Sequence, residues 1–258
     1  MKIRTFELCA GYDSQLMALE RLKKKHSDFD YESIGWSEIE PSAIALHNAC
    51  FPSLSGKNFG DMTKIDWSKV KDFDLLTYST PCQSVSQAGK QKGIEEGSNT
   101  RSSILWFTRN AIITKRPKYL LMENVEALVQ TKFIGFFNKW RKELESYGYA
   151  NYAKVVNAAD CGVPQNRKRV FMLSIRNDGD KIDYHFPRKT KLKKHLVDVL
   201  EENVDEKYFL SDALLCKEKF VPNEWKEPMG AAIRTRSEGK WIKGQKHSPK
   251  VELGKTIA

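Results

Sequence analysis

Short apolar runs alternate with longer amphipathic stretches along most of the chain. Four apolar runs have the length and residue types of strands: RTFELCAG, YESIGWSE, FDLLTYS and PKYLLMENV. The stretches SQLMALERLKKKH, PSAIALHNAC and SILWFTRNAIITK have helical periodicity, and Pro41 stands where a helix would begin. Strand and helix therefore take turns. This order predicts an α/β fold, a parallel sheet covered by helices, in which ligands bind beyond the carboxyl ends of the strands.

The pattern changes after FFNKWRKELESYGY, a predicted helix that Gly148 ends. The next stretch, AKVVNAADCGVPQNRKRVFMLSI, contains two strand-like runs around a polar middle. Their closeness along the chain predicts an antiparallel pair at the edge of the sheet. From about Asn177 onward the alternation fades into charged, mixed sequence. We therefore predict a main domain over residues 1–180 and a second region over residues 181–258.

Composition narrows the class of protein. The 258 residues, 40% of them hydrophobic, can form one core and a smaller appended lobe. Five cysteines without a CxxC pair indicate neither a disulfide framework nor a zinc site, and we predict no metal. No signal peptide and no apolar run of about 20 residues is visible. We therefore expect a soluble cytoplasmic protein without membrane contacts.

The chain is basic, with a net charge of +10 and a pI near 9.2. This excess favours a polyanionic partner such as nucleic acid. A basic surface that simply faces solvent would have the same composition, so charge gives only modest support to nucleic-acid binding.

Three polar motifs fall at ends of the predicted strands. In STPCQ, Pro81 should turn the chain sharply out of the sheet and present Cys82 at the ligand edge. In LLMENVEAL, Glu123 follows an apolar run, and in GVPQNRKRVF an extended backbone would point Arg167 and Arg169 to one face. Each motif has an ordinary interpretation: a buried cysteine, a solvated glutamate or a charged edge strand. Together they supply a nucleophile, an acid and paired cations for an oxygen atom.

The motifs TPCQSVSQAGKQKG, MENV and GVPQNRKRV resemble the proline-cysteine, ENV and QxRxR motifs of the DNA cytosine-5 methyltransferases, in that family's order. The resemblance runs from Phe6 to about Leu215. It implies the Rossmann-like fold of S-adenosylmethionine-dependent methyltransferases, with a mixed, mostly parallel sheet. Residues 1–180 would then be the catalytic and cofactor-binding domain, and residues 181–258 would be part of a target-recognition region.

The resemblance also implies roles for four residues. A Cys82 thiolate would add to carbon 6 of a cytosine that has rotated out of double-stranded DNA, at a cost of about a few kcal/mol. Glu123 would hold and protonate nitrogen 3 of the ring. Arg169, supported by Arg167, would bind the ring carbonyl. Carbon 5 would then take the methyl group of S-adenosylmethionine.

Four further residues are expected to bind the cofactor: Gly11, Glu38, Asp61 and Pro81. Gly11 would let the first turn approach the methionine part, Glu38 would accept both ribose hydroxyls, and Asp61 would face the adenine amino group. One segment departs from the family, because CAGYDS replaces the usual FAGxGG. Cys9 thus stands in place of an aromatic residue, and Asp13 and Ser14 in place of glycines, so we expect altered cofactor affinity.

The family's GNS segment has no counterpart after Thr256. We therefore expect either a fragment or a chain that a second polypeptide completes. The main hypothesis is a DNA cytosine-5 methyltransferase, or its larger part, from a restriction-modification or phage modification system. The alternatives are a methyltransferase acting on cytosine in tRNA and a non-catalytic DNA-binding subunit of a split enzyme.

Overall fold

The computed structural model describes residues 2–81, 96–97, 101–179, 183–201 and 204–205. Six strands occur in these ranges: β1 (Lys2–Leu8), β2 (Asp30–Ser37), β3 (Leu75–Tyr78), β4 (Tyr119–Val125), β5 (Tyr149–Asn157) and β6 (Lys168–Arg176). Four α-helices accompany them: α1 (Ser14–Lys25), α2 (Pro41–Cys50), α3 (Thr108–Lys115) and α4 (Ile134–Ser146). The predicted alternation of strands and helices is confirmed.

The strands form one mixed sheet in the order β2-β1-β3-β4-β6-β5. The pairs β1/β2, β1/β3 and β3/β4 are parallel, whereas β4 and β6 are antiparallel. Two backbone hydrogen bonds, from Asn177 N to Gly148 O and from Ala158 N to Arg167 O, flank opposite ends of the β5/β6 pair. These two strands therefore run antiparallel at the sheet edge, as the sequence predicted, and β6 alone opposes the others.

One predicted helix is partly wrong. The sequence SILWFTRNAIITK indicates a helix from residue 103, but residues Arg101–Phe107 form a 3-10 helix and α3 begins only at Thr108. Ser102 and Ser103 are buried in that first part. Serine hydroxyls compete with the backbone for hydrogen bonds and lower the preference for α-helix, which accounts for the later start.

The core lies on both faces of the sheet and contains large aromatic side chains. Phe6, Tyr78 and Trp140 are fully buried. The Trp140 Nε1 donates a hydrogen bond to the Tyr78 hydroxyl at 3.2 Å, so that α4 is fixed against β3 by a polar contact as well as by packing. Each such side chain contributes roughly 2–3 kcal/mol through removal of apolar area from water. The central strands that lead to the site are therefore rigidly held.

The chain divides into two compact units. The first comprises Met1–Val156 and Lys168–Pro187, and the second comprises Asn157–Arg167 and Arg188–Ala258. Within the second unit, Thr190 N donates to Asp160 O at 2.7 Å and Lys189 pairs with the Asp160 carboxylate at 2.9 Å. The expected boundary at residue 180 and the role of residues 181–258 stay predictions. Among the described residues, no helix combines the length and apolar character that crossing a bilayer requires.

Candidate active site

Of the predicted site residues that the structure describes, those in the first unit lie at or near the ends of its strands. The parallel strands β1 to β4 all finish at one edge of the sheet. Because β6 runs the other way, its amino end reaches that same edge, and Val125 pairs with Arg169. Glu123 lies opposite Phe171 in this ladder, so Arg169 is its diagonal neighbour on the same face of the sheet.

Glu123 and Arg169 form an ion pair. The Arg169 Nε lies 3.0 Å from Glu123 Oε1, and only 21% and 23% of the two side chains are exposed. The Arg169 Nη1 also donates to the backbone oxygen of Lys168 at 2.8 Å. Because the pair is partly buried, water and salt screen its attraction less than they would screen a fully exposed pair. The structure thus brings together the predicted acid and one of the two predicted arginines.

Asn124 connects the ends of β3 and β4. Its Nδ2 donates a hydrogen bond to the carbonyl oxygen of Thr80 at 3.2 Å, and both side chains are buried. Thr80 precedes Pro81, which is partly buried at the start of the following loop. Cys82, the predicted nucleophile, lies outside the described residues. Asn124 therefore holds the backbone of Thr80, two residues before the cysteine. Sequence patterns did not indicate this role.

Arg167 occupies a different setting from Arg169. Strand β6 begins at Lys168, so Arg167 lies just before the strand, and it belongs to the second unit. Its side chain is exposed, and its backbone N donates to Asn157 Oδ1 at 3.0 Å. The expectation that both arginines act on one oxygen atom stays a prediction.

Two of the predicted cofactor residues are in direct contact. Gly11, with φ +59°, donates its backbone N–H to Glu38 Oε2 at 3.0 Å. The other oxygen, Oε1, accepts hydrogen bonds from the backbones of Ile39 at 2.8 Å and Glu40 at 3.0 Å. A side chain added at Gly11 would meet no atom within 4 Å, so the turn is open on that side. A carboxylate accepts about four hydrogen bonds, and here three positions are already used.

Asp61 lies on a segment that docks against the end of β2. Asn58 Nδ2 donates to Glu38 O at 3.1 Å, and Ser37 Oγ donates to Gly60 O at 2.6 Å. The Asp61 Oδ1 accepts from the Thr63 hydroxyl at 2.8 Å, and this hydrogen bond is the main cause of a lowered pKa of the Asp61 carboxyl. Asp61 is therefore an anion near the second strand end, and its expected contact with the adenine amino group stays a prediction.

The Cys9 thiol is affected by the charges of both Glu38 and Asp61. Burial raises the pKa of its thiol to about 12, and the charges of Glu38 and Asp61 add to the effect. The Cys9 Sγ lies 3.5 Å from the Met62 sulfur. A thiol with so high a pKa remains protonated and unreactive near neutral pH. Cys9 thus provides a small, apolar contact beside the predicted cofactor residues.

A further contact joins the first turn to the loop after β3. The Gln15 Nε2 donates to Ser79 Oγ at 2.6 Å. Gln15 lies in the first turn of α1, and Ser79 comes three positions before the predicted nucleophile. The predicted cofactor turn and the nucleophile loop are therefore linked directly, through two polar side chains whose sequence context gave no indication of the contact.

Comparison with known proteins shows the family of the chain. The family model of the C-5 cytosine-specific DNA methylases matches residues 3–256. The chain belongs to this family. The type II methyltransferase M2.ScrFI of Lactococcus lactis subsp. cremoris is 38% identical to it over 261 residues, covering 81% of this chain and 71% of that protein. The orphan methyltransferase M.SssI of Spiroplasma monobiae is 35% identical, covering 83% and 68%.

This member of the C-5 methylase family has the same fold as several solved structures. The Dnmt2 methyltransferase of S. pombe matches with a TM-score of 0.63 and 20% identity, over 83% of this chain and 64% of that one. The Entamoeba histolytica methyltransferase EhMeth matches with a TM-score of 0.65 and 18% identity, over 85% and 66%. The chain thus spans slightly less than two thirds of these structures. The predicted Rossmann-like methyltransferase fold is confirmed.

Proposed function

We propose that this chain, as a DNA cytosine-5 methyltransferase or the larger part of one, transfers a methyl group from S-adenosylmethionine to carbon 5 of cytosine in double-stranded DNA. The observation that carries the proposal is the ion pair of Glu123 and Arg169 at the carboxyl edge of the sheet. The relatives at 35–38% identity are named as type II and orphan methyltransferases, and the matching family model is that of the C-5 cytosine-specific DNA methylases, which supports the same activity. The enzyme would belong to a restriction-modification or phage modification system, and it would act on DNA in the cytoplasm.

The Glu123 and Arg169 pair suits a pyrimidine ring. Nitrogen 3 and the carbonyl oxygen of cytosine are adjacent, so a carboxyl and a guanidinium held 3.0 Å apart can contact both at once. Arg169 would bind the carbonyl oxygen, and Glu123 would donate a proton to nitrogen 3. The base must leave the duplex to reach this edge, which costs about a few kcal/mol. We propose that Arg167 supports Arg169.

The bond changes begin at Cys82. Its thiolate would form a bond to carbon 6, and the electrons of the ring double bond would become available at carbon 5 as nitrogen 3 takes the proton from Glu123. The methyl group would then pass to carbon 5, and the electrons of its bond to the donor sulfur would stay with that sulfur. A base would remove the carbon-5 proton, the bond from carbon 6 to sulfur would break and release the thiolate, and nitrogen 3 would return its proton to Glu123.

The residues at the first strand ends fit S-adenosylmethionine. Gly11 leaves the first turn open, Glu38 presents a carboxylate with one of about four acceptor positions still available, and Asp61 offers an anion for an amino group. Pro81 would border the same site. When bound, the cofactor would supply an electrophilic methyl group on a positively charged sulfur. Glu38 can accept one ribose hydroxyl directly, and a second would displace one backbone N–H.

The decisive experiment traps the covalent intermediate. The protein is incubated with S-adenosylmethionine and duplex DNA in which 5-fluorocytosine replaces cytosine, since the fluorine cannot leave as a proton would. We expect a denaturation-resistant adduct for the unaltered protein and for Cys161→Ser, because Cys161 is an exposed thiol at a position without a proposed role. We expect none for Cys82→Ser. An adduct that persists in Cys82→Ser would overturn the proposed nucleophile.

Labelled methyl transfer to unmethylated duplex DNA and to tRNA separates the remaining hypotheses. Transfer to DNA alone supports the proposal, and transfer to tRNA alone identifies an RNA methyltransferase. DNA binding without transfer to either would indicate a non-catalytic subunit. The expected second polypeptide and the partial target-recognition role of residues 181–258 stay predictions. Restored transfer after addition of a candidate partner would test the former.

A further inference from the structure

Asp13 holds a backbone conformation that usually belongs to glycine. Its φ and ψ are both 64°, in the left-handed region, at a position where the family motif has glycine. This conformation costs roughly 1 kcal/mol for a residue with a side chain, and aspartate is one of the residues that tolerate it best. The bend is therefore retained even though glycine is absent, so the side chain must be stabilised by its surroundings.

The Asp13 side chain points into the protein rather than toward the open turn. It is only 1% exposed. Its Oδ1 accepts a hydrogen bond from Leu16 N at 2.9 Å and thereby caps α1, while the Asp13 backbone N donates to Ala10 O at 2.8 Å. Its Oδ2 faces His47 Nε2 at 3.6 Å. Among the described residues, Oδ2 has no hydrogen-bond partner, so the imidazole is the polar group that offsets the cost of burying this oxygen.

His47 is fixed in place on the last turn of α2. It is fully buried, and its ring stacks on Trp36 with centroids 3.6 Å apart and an interplanar angle of 18°. The Phe51 ring lies 5.3 Å away. Neither ring nitrogen has a hydrogen-bond partner among the described residues. A buried imidazole without partners is unfavourable unless it faces a charge, and Asp13 supplies that charge.

Two contacts therefore join the first turn to the segment after β2. The Gly11 to Glu38 hydrogen bond lies at the proposed cofactor surface, and its acceptor Oε2 is an oxygen that a ribose hydroxyl would use. The Asp13 to His47 contact joins the same two segments from inside the protein. A bound nucleoside competes for the first contact but cannot reach the second.

We propose that Asp13 and His47 act as positioning residues, whose buried contact holds the Gly11 turn against Glu38 in the geometry that receives S-adenosylmethionine. The inference rests on the proposed function, because it concerns the cofactor site of that reaction. It explains how a family member with Asp13 and Ser14 in place of two of the usual glycines keeps the turn. Glycine would allow this turn through its backbone freedom. Asp13 instead stabilises the turn by capping α1 and by contacting His47 in α2.

The surrounding charges are consistent with this pair. Glu7, the other buried carboxyl nearby, receives a hydrogen bond from the Ser33 hydroxyl at 2.9 Å. Burial, together with the charge of Asp13, raises the pKa of Glu7 to about 8, and the charge of Lys57 opposes the effect. Glu7 therefore keeps its proton near neutral pH.

A double-mutant cycle tests the pair. Asp13→Asn keeps the helix cap and tolerates the left-handed backbone but loses the charge, and His47→Leu keeps the buried volume but loses Nε2. We expect each change to raise the Kd for S-adenosylhomocysteine, measured by calorimetry, about tenfold, and the double variant to be no weaker than either. Leu144→Ala in α4 is the control, since it lowers stability at a remote core position without changing that Kd.

Amide exchange supplies a measurement that needs no ligand. In the free protein, we expect faster exchange of the Gly11 N–H in both single variants, with the Leu120 amide in β4 unchanged. Unaltered Gly11 exchange, or a Kd that does not change while stability falls, would show that the pair is merely structural. If Glu38→Ala binds S-adenosylhomocysteine as tightly as the unaltered protein, the proposed cofactor site is wrong, and Gly11 exchange still decides whether the pair positions the turn.

Discussion

Asn124 donates a hydrogen bond from its side-chain amide to the carbonyl oxygen of Thr80, 44 positions earlier in the chain. The contact joins the ends of two adjacent parallel strands. It leaves the neighbouring Glu123 on the opposite face of β4, where that carboxylate meets Arg169. One strand end therefore makes two contacts: Asn124 holds the backbone that follows β3, and the residue before it pairs with Arg169.

Replacing Asn124 with Ala should slow methyl transfer more than it weakens DNA binding. The Thr80 carbonyl would lose its buried donor, at a cost of about 1–3 kcal/mol, and the backbone before Cys82 would no longer be fixed. We expect the rate of a single turnover to fall about ten- to a hundredfold. Rapid-quench methyl transfer measures this rate. Asn110→Ala, on the exposed side of α3, is the matched control and should behave like the unaltered protein.

Arg169→Lys should lose most activity although the charge is retained. A lysine lacks the planar fork that can hold Glu123 and a ring carbonyl together. We expect kcat to fall by roughly a hundredfold or more, with an unchanged circular dichroism spectrum. The neighbouring Glu126→Gln removes a longer pair with Lys168, 3.8 Å apart, and should change kcat by less than about threefold. Equal losses in the two variants would contradict the role given to Arg169.

Glu7 should make stability depend on pH. Its pKa is raised to about 8 in the folded protein, chiefly by burial, so folding favours the protonated form. The stabilisation is complete below the ordinary glutamate pKa of about 4.3 and is lost as pH rises through 8. Denaturant unfolding should therefore show a decline over this range.

Glu7→Gln should remove that decline. The amide keeps the shape of the side chain and can still accept from Ser33, but it cannot ionise. We expect the variant to match the unaltered protein near pH 5 and to exceed it by a few kcal/mol above pH 8. Glu145→Gln, at an exposed position on α4, should retain the decline. A Glu7→Gln profile that still falls would assign the pH dependence to another group.

Cys9 should resist alkylation. Its thiol pKa of about 12 leaves almost no thiolate at pH 8, whereas Cys161 is exposed to solvent. Iodoacetamide treatment followed by peptide mass spectrometry should show Cys161 modified well before Cys9. Rapid loss of the Cys9 thiol under native conditions would mean that the proposed cofactor-binding turn opens readily.

The sequence predicted the sheet well because local patterns determine it. The apolar run before Glu123 has the length of a strand, and Pro41 marks a helix start that the structure confirms. The motif order also indicated that Glu123 and Arg169 would meet. What local patterns could not provide are contacts between distant residues of unremarkable type. Gln15 with Ser79 and Asp13 with His47 depend on how α1, α2 and the loop after β3 pack, which no periodicity encodes.

The opposed direction of β6 sets limits on insertions and deletions. Arg169 reaches the site only because the ladder with β4 holds its present alignment. One residue added just before Val170 would turn Arg169 to the other face of the sheet and move Glu123 away from any guanidinium. Length changes near Gly162, in the connection before β6, leave that alignment intact. Sequence length should therefore vary among functional relatives before Lys168 and be fixed from Arg169 to Phe171.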